Sequence, residues 1–158
     1  MVQTRLAQIS DALELKKLND LFNGENSAVV ETIQKSLIEN TQEIVCVAVK
    51  SSGNASNLVG FCCGQIIKSM CYNILYGDIT EFFVIDEYRH QDVGKQLIKQ
   101  MEIEFDRRGV NHLHHFIGKD NAPVQELFGS LGYTNSSESS YGSSSLIIFE
   151  KDTDSHTG

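Results

Sequence analysis

The sequence predicts an α+β fold, a sheet with helices on its faces, and three observations carry that expectation. Apolar runs of strand length alternate with segments whose apolar residues recur every three or four positions. The elements read β-α-α-β-β-β-α-β-α-β-β, with no internal repeat and no stretch long enough to act as a linker. Hydrophobic residues make up 41% of the 158 positions and charged residues 22%, which suits one globular domain with one core.

Val2 to Gln8 reads as a short strand, and Ser10 is placed to cap the helix behind it. Leu15, Leu18 and Phe22 stripe that helix; Val30, Ile33 and Leu37 stripe a second, from about Ser27 to Glu39. Ile44 to Val49 and Leu58 to Ile67 are β-rich runs joined by turn chemistry in SSGNASN, which predicts an antiparallel hairpin. Gly77 to Asp86 is a third run. It leads through EYRHQDVG into a helix from Gly94 to about Arg108, closed by Gly109. A strand over His112 to Ile117 follows. The next helix starts near Asn121 with Pro123 in its first turn, carries Val124, Leu127, Phe128 and Leu131 on one face, and ends at Gly132. Tyr133 opens another strand, and a serine-rich loop separates it from Leu146 to Lys151. The domain is expected to span 1–151, with 152–158 a disordered tail that has nothing to bury.

Charge narrows the partners. Thirteen Lys and Arg stand against 21 Asp and Glu, a formal net charge of −8. A nucleic-acid backbone is therefore excluded as the main partner, because its binders present a basic surface. An acidic surface favours encounter with cationic substrates. No apolar run approaches the roughly 20 residues of a membrane span, and the N-terminus lacks an apolar signal core, so a cytoplasmic protein with no membrane partner is expected. Cys46, Cys62, Cys63 and Cys71 lack CxxC spacing and read as reduced, packed thiols.

The strongest local signal is strand, turn and helix over EFFVIDEYRHQDVGKQLIK, Glu81 to Lys99. A helix N-terminus has unpaired N–H groups and a partial positive charge, which suits a phosphate. Arg89, His90 and Lys95 add basic groups to an acidic chain, and Gly94 permits close backbone approach. The turn is neither a P-loop nor a dinucleotide fingerprint, since GxxxxGK[ST] and GxGxxG are both missing.

On these residues the chain resembles the GNAT superfamily, the Gcn5-related N-acetyltransferases. The family's [Q/R]-x-x-G-x-[G/A] signature lies over Arg89, His90, Gln91, Asp92, Val93 and Gly94. A second pattern, N-x-x-A-x-x-[LF]-Y-x-x-x-G-[FY], is met at Asn121, Leu127, Gly132 and Tyr133. The order of elements matches from Val2 to Lys151. The resemblance implies a mixed, mostly antiparallel sheet with splayed central strands flanked by helices. It also implies acetyl-CoA as cosubstrate, with a homodimer as a common assembly. Backbone groups of Phe83, Val84 and Ile85 would contact the pantetheine arm. Backbone N–H groups of Gln91 to Lys95 would hold the pyrophosphate, and Asn121 would support its far side.

Two positions depart from the pattern. Asp92 replaces the first glycine of the loop, although Asp tolerates a left-handed backbone better than most residues. Phe128, one of the positions that the resemblance places at the cofactor, stands where the family carries a tyrosine that protonates the departing thiolate, a role Phe cannot fill.

The acceptor, an ammonium at neutral pH, must lose a proton before it attacks. Glu81 is the expected base, in an apolar strand where burial would raise its pKa. Its alternative is a solvated or ion-paired strand residue. Asp78 is the second candidate, placed by strand parity on the opposite face. His114 and His115 come next. His112 and His114 share a face but lack a third ligand, so no metal is expected. Tyr133 and Tyr141 are candidate proton donors. The expected function is transfer of acetyl from acetyl-CoA to a primary amine by direct attack in a ternary complex. The acceptor would be an aminoglycoside, a polyamine or a protein amine. The competing reading is a non-catalytic acyl-CoA-binding or sensing domain.

Overall fold

The computed structural model describes residues 1–52, 55–71, 73–137 and 146–153. Among the described residues seven strands hydrogen-bond in the order β1-β2-β3-β4-β5-β7-β6. They are β1 (Val2–Leu6), β2 (Glu43–Ser52), β3 (Ala55–Lys68), β4 (Leu75–Val84), β5 (His112–Gly118), β6 (Thr134–Ser137) and β7 (Leu146–Asp152). Among the described residues four α-helices accompany them: α1 (Ala12–Asn23), α2 (Val30–Glu39), α3 (Val93–Asp106) and α4 (Ala122–Ser130). The expected α+β class and order of elements are therefore observed. β1 on β2, β5 on β7 and β6 on β7 are antiparallel. β4 on β5 is parallel, as a strand pair joined through a crossover helix can be.

The chain divides into two compact units, Met1–Gly64 with Glu81–Met101, and Gln65–Thr80 with Glu102–Gly158. In the first, Leu15 and Leu18 of α1 pack with Val47, Val49, Leu58, Phe61 and Cys63 of the hairpin. Ile33 and Leu37 of α2 join from the edge, and α2 has no fully buried residue. Burial of this apolar stripe, rather than helix propensity, stabilises short helices of this kind. In the second unit Phe105, Leu113, Ile117, Phe128 and Tyr133 are buried.

Three boundaries differ from expectation. Ser10 lies inside a short 3₁₀ turn, Ile9–Asp11, and Asp11 occupies the cap position of α1. The Asp11 carboxylate makes no cap bond to α1; it takes the Gln8 N–H at 2.7 Å and a two-pronged bond from Arg5 at 2.6 and 2.9 Å, which fix the 3₁₀ turn ahead of the helix. The second helix begins at Val30, not Ser27. Strand β7 runs on to Asp152, one residue past the expected Lys151, and Thr153 N–H bonds to Asn111 O at 2.9 Å. Gly109 and Gly132 hold φ of +75° and +87° after α3 and α4, the left-handed stop that glycine supplies without a Cβ clash. Tyr141, most of the serine-rich loop and the tail from 154 lie outside the described residues. Among the described residues no helix is long and apolar enough to cross a membrane.

Candidate active site

The phosphate-type turn lies wholly within the first unit. β4 ends at Val84, Ile85 N–H bonds to Val59 O at 3.0 Å, and a 3₁₀ turn over Asp86–Tyr88 leads into Arg89 to Asp92. His90 and Asp92 both have φ of +59°, with Gln91 between them on the ordinary side. A left-handed residue costs roughly 1–2 kcal/mol without glycine, and two in three residues concentrate strain at one place. Alternating handedness is also the geometry in which successive N–H groups converge on an anion. Asp92 thus takes the conformation glycine would have held. His90, as a second left-handed residue, carried no sequence signal.

Helix α3 begins immediately afterwards. Gln96 N–H makes its bond to Asp92 O at 3.0 Å, so the N–H groups of Val93, Gly94 and Lys95 precede that bond in the first turn. The Val93 side chain is buried, which leaves only its backbone to a ligand. Arg89 donates through Nε to Val84 O at 3.0 Å and through Nη1 to Asp86 at 2.9 Å, with its guanidinium 5.9 Å from the Phe83 ring centre. Lys95 Nζ is 3.7 Å from the Asp92 carboxylate, which is 75% exposed. Exposed pairs of this kind are weak, so an anion can displace them. Gln91 is exposed and its amide donates to Glu87 O at 2.6 Å. Several backbone donors with Arg89, His90 and Lys95 around them fit a pyrophosphate. The Phe83 ring is packed against Phe22 and Phe61 at 5.5 and 6.1 Å, and Val84 is buried, so contact with a cofactor here would fall to the main chain.

Glu81 sits in the same unit, partly buried, and lines a pocket of about 150 Å³ with Glu43, Asn19, Phe61 and Cys63. Its Oε1 accepts from Asn23 Nδ2 at 3.4 Å. Burial raises the pKa of Glu43, and the nearby charge of Glu81 raises it further. Burial also pushes the Cys63 thiol well up, and both carboxylates add to that shift, so Cys63 is a protonated wall residue. Glu43 is absent from the sequence reading. It heads an apolar strand, and only the fold brings it to Glu81.

The remaining predicted residues belong to the second unit. Asn121 is the N-cap of α4, its side chain accepting from Val124 N–H at 3.4 Å. Phe128 is fully buried, stacked on His115 at 4.7 Å and edge-on to Tyr133 at 4.9 Å. Its ring is core. His115 Nδ1 donates to Ile79 O, and burial lowers its pKa. His112 is 2.6 Å from Asp152. His114 is 3.6 Å from Asp78, whose pKa burial raises and His114 lowers. Burial along β4 falls at Gly77 and Ile79, then at Val84. The two-residue period holds from Gly77 to Thr80 and is lost only between Glu81 and Val84. A larger hollow of about 530 Å³ lies among Tyr76, His112, His114 and Glu150, and contains none of the expected cofactor residues. Among the described residues no three His, Cys, Asp or Glu side chains gather as a metal site.

The model of the acetyltransferase (GNAT) family matches residues 14–133, and the chain belongs to that family. The family match places the chain among the acetyl-CoA-dependent N-acetyltransferases. Its fold is similar to an acetyltransferase of the GNAT family from Streptococcus pneumoniae, at TM-score 0.78 and 16% identity over 98% of this chain and 100% of that one. It is also similar to NAA60 of Arabidopsis thaliana in complex with a bisubstrate analogue, at 0.73 and 15% over 98% and 100%. An aminoglycoside acetyltransferase from an uncultured soil metagenomic sample, in complex with sisomicin, superposes at 0.67 and 18% over 82% and 86%. No curated protein matches the chain in sequence.

Proposed function

We propose that the chain acetylates a primary amine held in the pocket beneath α1 and α2, with Glu81 as general base. The observation that carries this reading is the partly buried Glu81 carboxylate lining a pocket in the same unit as the phosphate-type turn. Acetyl-CoA supplies the acetyl group as a thioester. Backbone N–H groups from Gln91 to Lys95, with Arg89 and His90, bind its pyrophosphate, and main-chain groups of Phe83 to Ile85 orient its arm. Glu81 takes the proton that keeps the ammonium from attacking. Phe128 donates no proton and acts through packing alone.

A pocket of about 150 Å³ is small beside the roughly 300–1,000 Å³ that encloses a drug-sized ligand. It favours a slender aliphatic amine over an aminoglycoside ring. The base assignment is tested with Glu81→Gln. Turnover with the best amine is expected to drop about 100-fold or more, while calorimetry gives the parent affinity for acetyl-CoA. Full turnover in that variant would reject Glu81 as the base.

A further inference from the structure

The pocket beneath α1 and α2 holds a second carboxylate that the proposed reaction leaves unused. Glu43, at the head of β2, lines it together with Glu81. Both carboxylates make long amide contacts, Asn40 Nδ2 to Glu43 Oε2 and Asn23 Nδ2 to Glu81 Oε1, each 3.4 Å. Among the described residues neither forms an ion pair. Two like charges in one part-buried pocket raise the free energy of the empty site, and a cation relieves it.

The other walls define what that cation is attached to. Leu15, Ile33, Leu37, Val45 and Phe61 line the same space and match a methylene chain. The small volume favours an unbranched stem over a branched or ring-bearing one. The attacking nitrogen is no partner for Glu43, because it must be neutral when it attacks. Glu43 therefore calls for a cation that persists through the reaction, a second nitrogen on the same molecule.

We propose that the acceptor is an unbranched aliphatic diamine, with its attacking amine at Glu81 and its second ammonium held by Glu43. This rests on the reading of Glu81 as base. One proton of the attacking ammonium goes to Glu81 before attack. An N–C bond then forms, the thioester C–S bond breaks, and a second proton leaves with the thiol. Glu43 exchanges no proton; it sets specificity by holding charge.

The test compares 1,4-diaminobutane, butylamine, a lysine-containing peptide and sisomicin as acceptors for the full chain at saturating acetyl-CoA. Thiol release is followed, and calorimetry measures 1,4-diaminobutane binding in the presence of CoA. The expected result is a kcat/KM for the diamine at least about tenfold above butylamine, a margin set by one charge pair. Glu43→Gln collapses that ratio toward unity, mainly through KM for the diamine, and Glu43→Asp retains part of it. Unchanged acetyl-CoA affinity in both variants reports an intact fold. A ratio near unity in the parent, a ratio unmoved by Glu43→Gln, or preference for the peptide or sisomicin overturns the proposal, as does failure of the diamine to bind. Diamine that binds through Glu43 yet turns over equally well in Glu81→Gln removes the base and leaves the specificity residue standing.

Discussion

Glu43 in the first unit and His115 in the second are both displaced from ordinary titration by burial, in opposite directions and in opposite company. Burial pushes Glu43 up, and the neighbouring negative charge of Glu81 pushes it further. Burial pushes His115 down, against the hydrogen bond to Ile79 O. The histidine has what a buried polar group needs: Nδ1 donates to a carbonyl, and its ring stacks on Phe128, which meets Tyr133 edge-on. The glutamate has a like charge for a neighbour and a pocket beside it. A buried group satisfied from within serves the fold, whereas one that a ligand must satisfy serves recognition.

The contrast breaks most visibly at Phe128. Replacing this fully buried ring with alanine opens a cavity beside His115 and Tyr133. A loss of about 3–5 kcal/mol is expected in chemical denaturation. A loss well under 1 kcal/mol would show that the second unit is not organised around that ring. At the other pole, Glu43→Gln removes a repelled charge, so it should raise the melting temperature at neutral pH. Discounting for solvent screening at a half-exposed group, the gain is about 1–2 °C. A fall in melting temperature would mean that Glu43 is held by a structural partner.

The smallest effect is the pH dependence, and its sign differs between the two residues. His115 has a folded pKa below its ordinary 6.5, so the stability it carries is present above 6.5 and lost as pH falls from there toward the folded value. Glu43 has a folded pKa above its ordinary 4.5, so its share is fully present below 4.5 and lost as pH rises through the folded value. Denaturation across weakly acidic pH should therefore flatten on its own side in each single variant, Glu43→Gln and His115→Phe. Parallel curves for parent and variants would discard the assignment.

Much of the fold was legible because its signals are local. Apolar periodicity marked the strands and helices, Asn121 with Pro123 marked the start of α4, and Gly109 and Gly132 marked two stops. Ser10 falls inside a 3₁₀ turn rather than at the cap of α1, in a segment where Arg5, six residues away, holds the Asp11 carboxylate. Part of the candidate site was legible for the same reason. Asp92 is an acceptable left-handed residue, and the helix N-terminus after it follows from the pattern around Gly94.

The Arg89 to Lys95 turn, the apolar stripes and the order of elements were determined by the sequence by itself, since each depends on neighbours within a few positions. Only the tertiary structure decided that Glu43 meets Glu81 across 38 residues, that Phe128 is core, and that His115 finds its acceptor at Ile79. Charge repulsion, burial and a carbonyl's direction depend on distance in space, and spacing along the chain does not encode them.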